Sequence, residues 1–307
     1  MKKRIVFIVG PTAAGKTELS IKLAKEINGE IISADSMQAY KGMDIMSQAP
    51  SGAEQKKVKH HLITFLSAKK EYSAASFCGM AEKIIRDILK RGKTPVVTGG
   101  SGLYVKALID GIFPSKGKNP ALRKKLRLEV SEKGALSLHK KLEKIDPISA
   151  RKIHPNDLKR VIRALEIHEL EKKTKSDLKK ETMGIKEKYD IDMFGLTAGR
   201  EKLYRRINGR VDSMFRAGLV REVKKLTKSK MSVTSRQALG FKQVSGYLSG
   251  DYSLEKAKET LKRDTRRLAK RQLTWFRPDR RITWLDLSRV GKARAVRIMV
   301  NTIKGRA

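Results

Sequence analysis

The stretch Gly10-Pro11-Thr12-Ala13-Ala14-Gly15-Lys16-Thr17 constrains this chain more than any other. It matches G-x-x-x-x-G-K-[ST], follows the apolar run Ile5 to Val9, and opens a segment in which Leu19, Leu23 and Ile27 recur every four residues. Buried strand, glycine-rich loop and helix, in that order, are the context the motif requires. Glycines let backbone N–H groups turn inward around phosphate oxygens, and the helix N-terminus adds positive potential. Lys16 contributes a full charge and the Thr17 hydroxyl can ligate Mg²⁺. ATP-binding kinases, NTPases and other transferases share this grip, so the loop names a ligand group and leaves the reaction open.

The remaining pattern builds an α/β fold around that loop. Glu30 to Ala34 reads as a second strand and Thr94 to Thr98 as another. Phe77 to Leu89 reads as a helix with Met80, Ile84 and Ile88 in its buried stripe. Alternation of strands and helices predicts a parallel sheet. Pro114 to Pro120 is rich in turn residues and marks a boundary. From Ala121 to about Lys188 the chain is helical in character and dense in Lys and Arg. A strand follows at Ile191 to Leu196, mainly helical sequence at 200–275, and a final strand at Arg281 to Leu285. Leu254, Leu261, Leu268 and Trp275 recur every seven residues and predict one apolar stripe on a long helix. The expected organisation is an α/β core at 1–117, an all-helical insertion at 118–190 and the rest of the core, mainly helical, at 191–307.

Lys and Arg number 70 against 32 Asp and Glu, a formal net charge of +38. A field of that sign concentrates polyanions and points to nucleic acid as a partner. The single cysteine, Cys78, rules out an intrachain disulfide. No apolar run approaches the roughly 18 residues of a membrane span. The short apolar stretch after the basic N-terminus runs straight into the loop, without a cleavage-type sequence. A cytoplasmic location without membrane attachment is expected.

Asp35 ends the second strand, and the carboxyl ends of strands in open α/β sheets face the ligand crevice. An acid there can hold Mg²⁺, act as general base, or cap the next helix. Asp44 reads as a turn or surface acid.

Several further blocks carry a resemblance. GPTAAGKT, then DSMQAYKGMDI from Asp35 and GGSGLY from Gly99, are followed by HHL at His60 to Leu62, DPISARKIHPNDLKRVIRALEI from Asp146, LYRRINGRVDSMFRAGLVREV from Leu203, QALGFKQ from Gln237 and LAKRQLTWFR from Leu268. Together they resemble the tRNA dimethylallyltransferases, also called tRNA isopentenyltransferases, almost end to end. The resemblance implies a P-loop NTPase-like fold: a parallel sheet flanked by helices, with a tRNA-binding helical insertion. It implies transfer of a dimethylallyl group from dimethylallyl diphosphate to N6 of adenine-37, in the tRNA anticodon stem-loop, with the help of Mg²⁺; a monomer is expected.

Residue roles follow from the same resemblance. Asp35 matches the general base. Gly10 to Thr17, with Lys16 and Thr17 foremost, would hold the diphosphate and Mg²⁺. Ser101 stands where threonine is usual and keeps a hydroxyl near the leaving group. Arg236 matches an arginine that grips the diphosphate. Asp35, Ser36, Met37, Gln38 and Ser101 would meet the target base and its neighbours, and Arg123, Lys159, Arg160, Val161, Ile162 and Arg163 fall at tRNA-contacting positions. The chain departs from the family pattern at Met46 to Pro50, where GTAKP is usual, at Lys59 in place of proline, and at Gly199 in place of an acid.

The basic sequences suit RNA. Between Lys262 and Arg281, Lys and Arg outnumber Asp264 and Asp279 nine to two, and Arg263, Arg267 and Arg271 share a helix face. A solvated basic face is the bland alternative. Trp275 and Trp284 read as core residues and His60 and His61 as structural. A P-loop small-molecule kinase, a prenyltransferase acting on free adenine nucleotides and a non-enzymatic RNA-binding protein are the rival readings. The first leaves the net charge and the basic insertion unexplained.

Overall fold

The computed structural model describes residues 2–113 and 117–305, so Pro114 to Lys116 of the expected boundary lie outside the described residues. In chain order the elements are β1 (Arg4–Val9), α1 (Lys16–Glu26), β2 (Gly29–Ser33), α2 (Asp44–Ser47), α3 (Gly52–Lys57), β3 (His60–His61), α4 (Ala74–Lys90), β4 (Thr94–Gly99) and α5 (Gly102–Asp110). Five helices follow: α6 (Pro120–Lys133), α7 (Ala135–Ile145), α8 (Pro147–Lys152), α9 (Leu158–Glu171) and α10 (Lys175–Lys180). The chain then continues through β5 (Asp190–Thr197), α11 (Arg200–Arg216), α12 (Leu219–Thr227), α13 (Phe241–Leu248), α14 (Leu254–Phe276), β6 (Ile282–Asp286) and α15 (Lys292–Lys304). It forms two compact units, one of residues 2–109 with 185–305 and one of residues 110–184. The expected limits of the insertion were 118 and 190; Ile185 onward belongs with the first unit.

The first unit is built on a six-stranded sheet in the order β3-β2-β4-β1-β5-β6, with every pairing parallel. Ile5 to Val9 are wholly inaccessible, as expected of a central strand covered on both faces. Leu19, Leu23 and Ala24 of α1 pack with Ala295, Met299 and Ile303 of α15 against Val6, Ile8 and Phe194. The order β2-β4-β1 decides where chemistry can occur. The loops that leave the carboxyl ends of these three neighbours carry Asp35, Gly99 to Ser101 and Gly10 to Thr17, so they emerge side by side.

Three sequence expectations change here. Strand β3, only two residues long, escapes any periodicity signal. Helix α4 buries Ala74, Phe77, Cys78, Ala81, Ile85 and Ile88, leaving Met80 and Ile84 half-buried at the edge of the stripe. That segment offers two adjacent apolar rows, and packing on the sheet selects one. On α14 the buried row is Ala257, Leu261, Ala269 and Phe276. A seven-residue repeat drifts by about 20° per heptad on a straight helix, so three heptads carry Trp275 roughly 60° off the stripe. Trp275 is accordingly 41% exposed and not a core residue. Trp284 is half-buried, and its ring covers Gly195.

The second unit closes around Leu126, Leu138, Leu142, Val161, Ile162 and Leu165. At its centre the fully buried carboxylate of Glu166 accepts from the Asn119 amide at 2.8 Å and from Arg123 at 2.6 and 2.7 Å. Arg163 also donates to it, at 2.5 Å. Burial opposes ionisation of Glu166, but these donors outweigh it and hold the carboxyl down at about 2.

Candidate active site

The three loops line a cleft of about 990 Å³. Its floor is the phosphate loop. Gly10 has φ 134°, and a Cβ there would drive into the carbonyl of Leu196 on β5, so only glycine lets the loop leave β1 at this angle. Gly15 precedes α1 in the left-handed region, and the first-turn amides of that helix have no helical acceptor. The Lys16 ammonium donates to the carbonyls of Gly10 at 3.0 Å and Pro11 at 2.8 Å. Desolvation lowers its pKa to about 8, with Asp35 raising it and Arg210 lowering it. A cation held at such a cost is poised for an anionic ligand that would offset its desolvation.

Asp35 faces the same cleft from the end of β2. One of its oxygens accepts from the Met37 amide at 2.9 Å, closing a tight turn. The next helix, α2, starts at Asp44 with Met43 as its cap, so capping is not what Asp35 does. Ser101, at the start of α5, accepts from the Ser36 amide at 3.1 Å and ties the Asp35 turn to the Gly99 to Gly102 loop. Gln38 is held at both ends of its amide: Ser33 Oγ donates to it at 2.8 Å, and it donates to the Gln48 carbonyl at 3.1 Å. The divergent segment Met46 to Pro50 therefore supports this turn. It is fixed in turn by Glu222, whose carboxylate accepts from the amides of Ile45 and Met46 at 2.8 Å each. Asp44, the first residue of α2, is exposed and does not line the cleft, as expected of a surface acid.

Two helices wall the cleft. From α11 come Arg206, Arg210, Val211 and Met214, and from α14 come Leu261, Thr265, Leu268, Arg271, Gln272 and Trp275. The helices are tied by Arg266 to Asn208 at 2.8 Å and Lys262 to Asp212 at 2.9 Å. Arg210 donates to Thr12 Oγ1 at 3.3 Å, and its guanidinium is desolvated beside Lys16. Gln272 accepts from the Thr12 amide at 2.8 Å and donates to the Gly100 carbonyl at 3.1 Å, clamping the phosphate loop to its neighbour. The phosphate loop, with Lys16, its free helix-end amides and Arg210 reaching it from α11, faces a carboxylate across a half-apolar cleft. That arrangement can hold a diphosphate ester and take a proton from a nucleophile placed against Asp35.

The IPP transferase family profile matches residues 38–279, and the isopentenyl transferase profile matches residues 3–70. A tRNA dimethylallyltransferase of Halothermothrix orenii is 47% identical over 92% of this chain and 88% of its own length. This chain belongs to the IPP transferase family. Among solved structures, the tRNA isopentenylpyrophosphate transferase of Bacillus halodurans is 43% identical, with TM-score 0.72, covering 99% of this chain and 96% of that one. A eukaryotic dimethylallyltransferase captured acting on tRNA has TM-score 0.83 at 31% identity, covering 99% and 80%.

For an IPP transferase the placement of the expected residues divides cleanly. Thr12, Ala13, Gly15, Lys16, Thr17, Asp35, Ser36, Met37, Gln38 and Ser101 all line one cleft. Arg236 does not: it is exposed on the 3-10 turn Ser235–Gln237, outside the cleft lining. The guanidinium that meets the phosphate loop is Arg210, which sequence reading passed over inside the LYRRINGR block. Its spacing from Arg206, one helical turn, is the signal that was available. In the second unit Lys159 and Arg160 are exposed. Arg123 and Arg163 are half-buried and bonded to Glu166. Val161 and Ile162 are core side chains, 0% and 6% exposed, so they pack the unit and offer no side-chain surface to RNA. His60 and His61 sit on β3, His60 against the Val58 carbonyl and His61 against Glu30, and His60 also lines the cleft. Among the described residues no helix is long and apolar enough to cross a membrane.

Proposed function

We propose that the protein transfers the dimethylallyl group of dimethylallyl diphosphate to N6 of adenine-37, beside the tRNA anticodon. The observation that carries this reading is Lys16 of the phosphate loop, with Arg210 reaching that loop from α11, and Asp35 in the same cleft. The N6–C1 bond forms as the C1–oxygen bond to diphosphate breaks. An exocyclic adenine amine is a weak nucleophile because its lone pair is delocalised into the ring, so Asp35 takes its proton as the bond forms. Lys16, Arg210 and the loop amides stabilise the charge gathering on the departing diphosphate. The Thr17 hydroxyl is a hard oxygen donor of the kind Mg²⁺ shares with substrate phosphates and water. When bound, the ion would add to the neutralisation of the leaving group. The adenine must leave its stack to reach Asp35, and a single-stranded loop lowers that cost. The net charge of +38 supports a polyanionic substrate, with Lys159 and Arg160 among the exposed cations. We take the enzyme to be a cytoplasmic monomer.

The test is product analysis of an anticodon stem-loop incubated with dimethylallyl diphosphate, with ATP in a parallel arm and free AMP as a rival acceptor. Alkylated adenine-37 with the prenyl donor alone is expected. Phosphate transfer from ATP, or preference for AMP over the stem-loop, would sink the proposal. Asp35→Asn is expected to lower the single-turnover rate by roughly 10²–10⁴-fold while leaving stem-loop affinity within a few-fold.

A further inference from the structure

Trp275 is a large apolar side chain left 41% exposed on the cleft wall of a strongly basic protein. It is not there by loose packing. Its indole lies over Gly102, where a Cβ would come within 3.0 Å of three ring atoms, so the absence of a side chain at 102 admits the ring. One helical turn earlier, Gln272 is bonded through both amide atoms to Thr12 and Gly100. The turn of α14 that presents the ring is thereby pinned to two catalytic loops. Leu103, 55% exposed, follows Gly102 in the same lining, and Arg271 stands four residues before Trp275 on the same helix.

A rigid aromatic surface, an aliphatic neighbour and an adjacent guanidinium form the combination that single-stranded nucleic acid meets in its binding grooves: the ring takes a base face and the cation tracks the backbone. The prenyl chain is a poorer occupant. It calls for a dry surround, which Val211, Met214 and Leu261, all nearly inaccessible, already give elsewhere in the cleft lining. We propose that Trp275 is the stacking platform for a nucleobase bordering the extruded adenine, filling the stacking partner that this base loses when the adenine leaves. The proposal rests on the RNA-alkylating reading above and deepens it: Trp275 is a positioning residue for the RNA, distinct from the groups that hold the diphosphate.

The chain has two tryptophans, so Trp284→Phe leaves Trp275 as the sole indole emitter. Alkylation of the stem-loop by this variant is measured first and reports on the proposed function alone. Its fluorescence is then titrated with stem-loop RNA and, separately, with dimethylallyl diphosphate. Quenching that saturates with RNA binding, and none with the prenyl donor, is expected. Trp275→Ala should raise KM for the stem-loop by about 5- to 150-fold, the span of one lost base–aromatic stack, and leave KM for the donor nearly unchanged. Trp275→Phe should recover most of that loss. Replacing the bases flanking adenine-37 by abasic riboses, one at a time, should make wild type and Trp275→Ala equivalent at a single position. Quenching by the donor alone, or a KM effect confined to the donor, would assign the ring to the prenyl group and overturn the proposal. An unchanged stem-loop KM in Trp275→Ala would overturn it as well.

Discussion

Lys16→Met should make the unliganded protein more stable at neutral pH while destroying its grip on the donor. Desolvation pushes the Lys16 ammonium from its ordinary 10.5 to about 8; Asp35 works against that shift and Arg210 with it. A base whose folded-state value lies below its unfolded one is penalised for carrying its proton in the fold. The penalty is fully present below about pH 8 and fades as pH rises to 10.5, where the unfolded chain also gives up the proton. At about 1.4 kcal/mol per pKa unit the cost reaches at most roughly 3 kcal/mol. With an unfolding entropy of about 2 cal/mol/K per residue, that corresponds to a melting-point difference of roughly 5 °C for a chain of this length. Thermal melts of wild type and Lys16→Met, run side by side at pH 7 and pH 10.5, read the quantity directly. The variant's advantage over wild type should be larger at pH 7 by up to that amount, because the other lysines titrate alike in both proteins. Inorganic diphosphate should raise the melting point of wild type at pH 7 and leave the variant unmoved. A stability difference independent of pH would refute the desolvation reading, and equal stabilisation of both proteins by diphosphate would remove Lys16 from the anion site.

Replacing each of the two arginines by alanine separates their positions. Arg210→Ala should raise KM for the prenyl donor by more than tenfold, as expected when a hydrogen bond from a charged group worth about 1.5–3 kcal/mol is lost, whereas Arg236→Ala should change it less than threefold; steady-state kinetics with the donor varied decides between them. In the second unit, Glu166→Ala leaves Arg123 and Arg163 without their shared carboxylate and should destabilise that unit by about 3 kcal/mol, read by urea unfolding. Because Glu166 is held down at about 2, its contribution is present above its unfolded value near 4.5 and is lost as pH falls from there toward 2. Wild type should therefore lose this increment over that window, and Glu166→Ala should not.

Much of the site was legible before any fold was known. Lys16, Thr17, Asp35, Ser101 and the strands that carry them lie in short local patterns whose physics is contained within a few residues: a glycine loop, a strand end, a helix start. Alternation of strands with helices makes those strands parallel, and the order β2-β4-β1, which the alternation does not fix, brings their ends together. The positions that sequence misread are those whose neighbours are far away along the chain. Arg210 meets Thr12 from 198 residues off, and Gln272 meets it from 260. The one-turn spacing of Arg206 and Arg210 puts both on one face of α11, but only the packing of α11 against α14 sets which guanidinium reaches the loop. Val161 and Ile162 share a block with exposed Lys159 and Arg160, and the helix rotation that buries one pair and exposes the other is chosen by the core around Leu138 and Leu142. The phosphate grip and its facing carboxylate were thus determined by local sequence. The cleft walls, with Trp275 presented at their edge, were decided by tertiary packing, because rotating a helix by half a turn moves every side chain on it while leaving its sequence pattern unchanged.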